Sequence, residues 1–109
     1  MNIFKVTLGD IEREVKFTTR ALCRLEQELG YSVLSSEFLS DRTIARVVKT
    51  LWAGLLHQNK DLTIDDIFEL IDLSGTNILQ IMPVITQAFN HYWGIDSAEE
   101  EKEEKKTEA

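Results

Sequence analysis

Residues 3–8 and 11–17 alternate apolar and polar side chains on either side of Gly9-Asp10, and no other pattern in the 109 residues narrows the fold as much. A glycine-first pair suits a two-residue hairpin turn of type II′. Closing the turn there sets Leu8 opposite Ile11, Val6 opposite Arg13 and Phe4 opposite Val15, while Lys5 meets Glu14 and Thr7 meets Glu12 on the other face. One face is apolar and the other is salt-bridged. A lone hairpin is only marginally stable in water, so the face carrying Phe4, Leu8, Ile11 and Val15 must lie on something else. The remainder reads as helix. The expected class is therefore α+β, an N-terminal β-hairpin packed on a bundle of about four helices.

The helices are framed by their caps. Thr18-Thr19 offers an N-cap and Gly30 a stop, with Ala21, Leu22, Leu25 and Leu29 on one stripe and Arg24 with Glu28 as an i,i+4 pair outside it. Residues 31–40 are serine-rich and are expected to form a short turn carrying Val33, Leu34, Phe38 and Leu39 inward. Ser40 or Asp41 is the expected cap of a helix running to about His57, with Ile44, Val47, Val48, Leu51 and Leu55 on one face. Ala45, Trp52 and Leu56 widen that stripe to roughly half the cylinder, which implies contacts on two sides. Thr63 with Asp66 resembles a capping box in front of a helix carrying Ile64, Ile67, Phe68 and Ile71. After Ser74-Gly75, a last pattern from about residue 77 to 93 aligns Ile78, Ile81, Met82, Ile85, Phe89 and Tyr92, with Gly94 as its stop. Pro83 lies inside it. This helix is either kinked there or restarted with Pro83 in its first turn.

Composition changes after Ile95. Residues 96–109 hold seven acids against three lysines, −4 of the formal net charge of −7, and too few apolar side chains to offset the cost of ordering. Residues 1–95 are expected to form one globular domain and 96–109 a disordered or fraying acidic tail. Residues 73–95 carry no formal charge over 23 positions, long enough in principle to cross a bilayer. Eight strongly polar side chains there would need desolvation, so the stretch reads as soluble helix and no membrane partner is expected. Lys5, Asp10, Glu12, Arg13 and Glu14 leave no room for a signal-peptide apolar core. The single Cys23 cannot form an internal disulfide, which suggests a reducing compartment or indifference to redox.

Enzymatic chemistry finds little support. No glycine-rich phosphate loop or Gly-x-Ser-x-Gly elbow occurs. His57 and His91 stand 34 residues apart and read as solvated surface histidines; Cys23 reads as a small filler residue. Asp61, Asp65, Asp66, Glu69 and Asp72 gather on one segment, but Phe68 and Leu70 stand where a calcium loop needs oxygen ligands. No cofactor and no metal are expected. Residues 62–82 imitate helix-turn-helix spacing, which makes a small DNA-binding regulator the alternative reading. Phosphate contacts need cations, and from residue 61 to 101 there are nine acids and no Lys or Arg, so no nucleic-acid partner is expected.

The hairpin running into Phe17-Thr18-Thr19-Arg20-Ala21-Leu22-Cys23-Arg24-Leu25-Glu26-Gln27-Glu28-Leu29-Gly30, then Leu51-Trp52-Ala53-Gly54-Leu55-Leu56-His57 and Leu62-Thr63-Ile64-Asp65-Asp66-Ile67, resembles the tail assembly chaperones of long-tailed bacteriophages and related gene-transfer-agent proteins. The likeness spans most of residues 1–94, and its motifs are structural. It implies a non-enzymatic protein of virion morphogenesis that binds the tape measure protein and delivers tail tube subunits as the tube polymerises, in the cytoplasm of the bacterial host. It also implies a longer frameshifted product in many members. Lys105-Lys106 is encoded either by a slippery run of adenines or by ordinary codons of a solubilising tail, and the codons decide. Trp52 and Leu56, which broaden the central helix, and Val84, which lies off the main stripe of the last one, are the expected seat of a partner's amphipathic helix. The competing expectation is that both sides are simply buried within a small fold. Self-association is left open.

Overall fold

The structure, a computed structural model, describes residues 4–9 and 11–94. The expected tail at 96–109, with Lys105-Lys106, lies outside the described residues. The fold is α+β: strands β1 (Phe4–Leu8) and β2 (Ile11–Val15), then helices α1 (Thr19–Leu29), α2 (Ser36–Ser40), α3 (Ile44–Leu55), α4 (Ile64–Ser74) and α5 (Ile78–Tyr92). The antiparallel register is the expected one, with Phe4 against Val15, Val6 against Arg13 and Leu8 against Ile11. Gly9 adopts φ +66°, a conformation that a glycine-first hairpin turn requires. On the polar face Lys5 stands against Glu14 and Thr7 against Glu12 as expected, but the ion pair is a diagonal one. Lys5 reaches diagonally to Glu12, 3.4 Å away, because Glu14 turns toward the His57 ring at 3.8 Å. Ile11 is exposed, although its partner across the ladder, Leu8, is fully buried.

Helix α3 is the axis of the molecule. It packs against α1, α4, α5 and β2, while β1 lies on α4 and α5, so the hairpin is held by both the centre and the C-terminal half of the chain. Leu8, Leu25, Leu51, Ile67 and Ile81 are fully buried where these elements meet. Closure of β2 onto α3 depends on Gly54. The Lys16 N–H donates to the Gly54 carbonyl at 2.8 Å, and a Cβ at residue 54 would stand 2.7 Å from Val15 Cγ1. Only the missing side chain permits this crossing. At the far end Phe89 stacks on Phe38 and meets Phe17 and Trp93 edge-on, joining α5 to α2 and to the entry of α1.

Local chemistry explains where the helices begin. Thr18 accepts from the Ala21 N–H at α1, and Gly30 ends that helix at φ +83°. Thr63 and Asp66 form the reciprocal box at α4, and Asn77 with Gln80 forms a second one at α5. That second box starts α5 ahead of Pro83, which becomes the sixth residue of one continuous helix and not part of its first turn. The carbonyl of Leu79 that loses its N–H partner belongs to a residue on the exposed side, where water reaches it. α3 is capped by Thr43 rather than by Ser40 or Asp41. The serine-rich stretch contains the short helix α2, making five helices among the described residues; it turns Val33 and Phe38 inward but leaves Leu34 and Leu39 in solvent. Phe68 likewise stands at the exposed edge of α4. No helix among the described residues is long and apolar enough to cross a membrane, because Gly75 splits the uncharged stretch.

Candidate functional site: an apolar groove with an arginine rim

The corner between α2 and α3 is braced by Asp41. Its carboxylate accepts from the Thr43 backbone N–H (3.1 Å) and hydroxyl (2.7 Å) and from the Tyr31 phenol, while its carbonyl accepts from Arg46 Nε at 2.9 Å. Arg46 is thereby laid over the Phe38 ring, 4.7 Å from its centroid. The hydrogen bonds hold the Asp41 carboxyl down at about 2, with the Tyr31 phenol the largest cause and Thr43 next. Desolvation, followed by the same carboxylate, pushes the Tyr31 phenol up to about 12. The corner is fixed by partners ten residues apart.

That brace determines which apolar side chains are left outside. Leu39 from the last turn of α2 is 75% exposed and Ile44 from the first turn of α3 is 61% exposed. With Val47, and with Ile78 and the 40% exposed Met82 of α5, they line an open groove of about 350 Å³. Arg42 and Arg46 form its charged edge. Scattered apolar residues are ordinary on a protein surface, but a concave apolar strip with a cationic border is a surface suited to a partner's side chains. The strip presents apolar side chains between two guanidinium groups, a surface for contact with another molecule.

The residues expected to bind a partner lie elsewhere. Trp52 and Leu56 are 4% and 5% exposed, so most of the breadth of the α3 stripe is used within the fold, although Leu56 also reaches the lining of a groove beside α1. The indole N–H of Trp52 donates to the Leu62 carbonyl at 2.8 Å, and the Arg24 guanidinium covers the ring from 5.2 Å. The chain after α3 folds back on one side while α1 closes the other. Val84 is half-buried against the core. The structure does not bring these three together into one surface. Sequence periodicity instead assigned Leu39, Ile44, Ile78 and Met82 to the interior, and the available signal was a surplus of apolar positions beside the i,i+4 pair Arg42 and Arg46.

Helices α4 and α5, which carry the helix-turn-helix-like spacing, each pack on α3 and β1 rather than closely on one another. His57 is turned to Glu14 and to the Gly54 carbonyl, and His91 packs beside Phe4. Among the described residues no three His, Cys, Asp or Glu side chains converge as metal ligands would. Compared with known proteins, the chain matches no family model, no curated protein and no solved structure.

Proposed function

We propose that this chain is a non-enzymatic tail assembly chaperone of a long-tailed bacteriophage or prophage, which binds the tape measure protein and assists tail tube polymerisation in the host cytoplasm. The observation that carries the proposal is the open apolar groove bordered by Arg42 and Arg46, built on a braced corner. A long helical partner with apolar stripes is exposed to water until the tube encloses it. Covering that stripe with a concave strip removes apolar area from solvent at about 25 cal/mol per Å². The chaperone's net charge of −7 then keeps the complex dispersed. The residue pattern from Phe17 to Ile67 supports the same reading through its resemblance to this family.

Co-expression tests the proposal. With the tape measure protein encoded alongside it, the full chain should keep that protein in the soluble fraction and co-elute with it. Ile44→Glu with Met82→Glu should abolish co-elution while leaving the circular dichroism and melting temperature of the chaperone nearly unchanged. A tape measure protein equally soluble with and without the chain would end the proposal.

A further inference from the structure

A second groove lies on the opposite flank of α3, between α1 and the chain that follows α3, and it is the larger, at about 710 Å³. Arg20, Arg24 and Lys60 line it together with Cys23, Gln27 and His57, and no acidic residue does. This is a local excess of positive charge on an acidic protein. His57 is already turned to Glu14, and Arg24 partly to Trp52. Among the described residues, neither Arg20 nor Lys60 has an ion-pair partner.

We propose that the acidic C-terminal segment of this same chain, residues 96–109, is the occupant of this cationic groove. Charge supports it: the segment carries seven acids and a net −4, the densest negative run in the sequence. Connectivity supports it too. The Tyr92 side chain at the end of α5 reaches the start of α1, its hydroxyl 2.6 Å from Thr19 Oγ1, one residue from Arg20. At about 3.3 Å per extended residue, Glu99 to Glu104 lie within roughly 35 Å of Gly94, while Arg20 to Gln27 spans only about 10 Å of helix. A tether this short presents the acids at an effective concentration on the order of millimolar, so several screened ion pairs suffice to favour occupancy of the groove. This inference does not depend on the chaperone reading.

A spin label tests it in the full chain. With Cys23→Ser and Ala109→Cys carrying a nitroxide, amide signals of residues 20–27 and 56–60 should fall to less than about half at low salt, independently of protein concentration. They should recover in about 0.5 M salt, where the screening length shrinks to a few ångströms. Arg20→Ser with Lys60→Ser, both on solvated positions, should restore them without salt. Broadening spread over the whole surface, centred on another face, or indifferent to the two substitutions overturns the proposal. Concentration-dependent broadening overturns it as well, and assigns the groove to a second copy.

Discussion

Replacing Gly54 by alanine sets two opposed effects against each other, and the structure decides the sign. Alanine is better than glycine inside a helix by about 1 kcal/mol. At this position, however, the new Cβ would stand 2.7 Å from Val15 Cγ1 and 3.3 Å from Phe17 Cζ. Val15 is buried and β-branched, with little rotamer freedom to give way, and the Lys16 bond to the Gly54 carbonyl ties the strand to the helix. Forcing a methyl into such a crossing costs about 1–3 kcal/mol. The expected net effect of Gly54→Ala is a loss of about 1 kcal/mol, or about 4–8 °C in melting temperature for a domain of this size. Urea unfolding of Gly54→Ala, Val15→Ala and the double variant reads the coupling. In the Val15→Ala background the alanine at 54 should become neutral or stabilising, with a coupling of about 1 kcal/mol or more. If Gly54→Ala stabilises the natural chain by the full helix-propensity gain, or acts identically in both backgrounds, the close crossing is refuted.

Trp52→Phe should destabilise by about 1–3 kcal/mol in urea unfolding, because it leaves the buried Leu62 carbonyl without its donor; an unchanged midpoint would deny that bond its role. Asp41, whose carboxyl is held at about 2, contributes stability that is present above about pH 4 and is lost as the pH falls from 4 toward 2, so Asp41→Asn should flatten that limb of acid unfolding. Tyr31, pushed up to about 12, contributes below about pH 10 and loses its contribution from 10 to 12; ultraviolet titration of Asp41→Asn should show the phenol ionising closer to 10, and an unmoved titration would refute the pairing. Leu39→Ser should change stability by no more than about 0.5 kcal/mol, since its side chain lies outside the core; a larger loss on thermal melting would show that the groove edge is structural.

The parts of this fold that were legible in the sequence are those governed by neighbours in the chain. The register around Gly9, the caps at Thr18 and Thr63 and the stop at Gly30 each depend on residues within a few positions, and each stands where that chemistry puts it. The cap of α3 was not legible, because Ser40, Asp41 and Thr43 all have suitable side chains. A tertiary bond from Tyr31 occupies Asp41 and leaves Thr43 to cap. The grooves were hidden for a related reason. Helical spacing tells which side chains share a face, and it is silent on how far a neighbouring helix extends along that face. Ile44 and Met82 share stripes with buried residues, yet each falls beyond the reach of the helix opposite, so the strip that remains open is an end effect of three elements. Trp52 and Leu56 show the converse, since α1 and Leu62 cover the part of the α3 stripe that looked surplus.

The groove as the seat of the tape measure protein is tested most directly by hydrogen exchange on the purified complex, compared with the free chain. Peptides covering residues 39–47 and 78–82 should lose exchange by about tenfold or more when the partner is bound, with the α1 face unchanged. Protection confined to other peptides, or no difference between free and mixed samples at concentrations that saturate a micromolar complex, would contradict it.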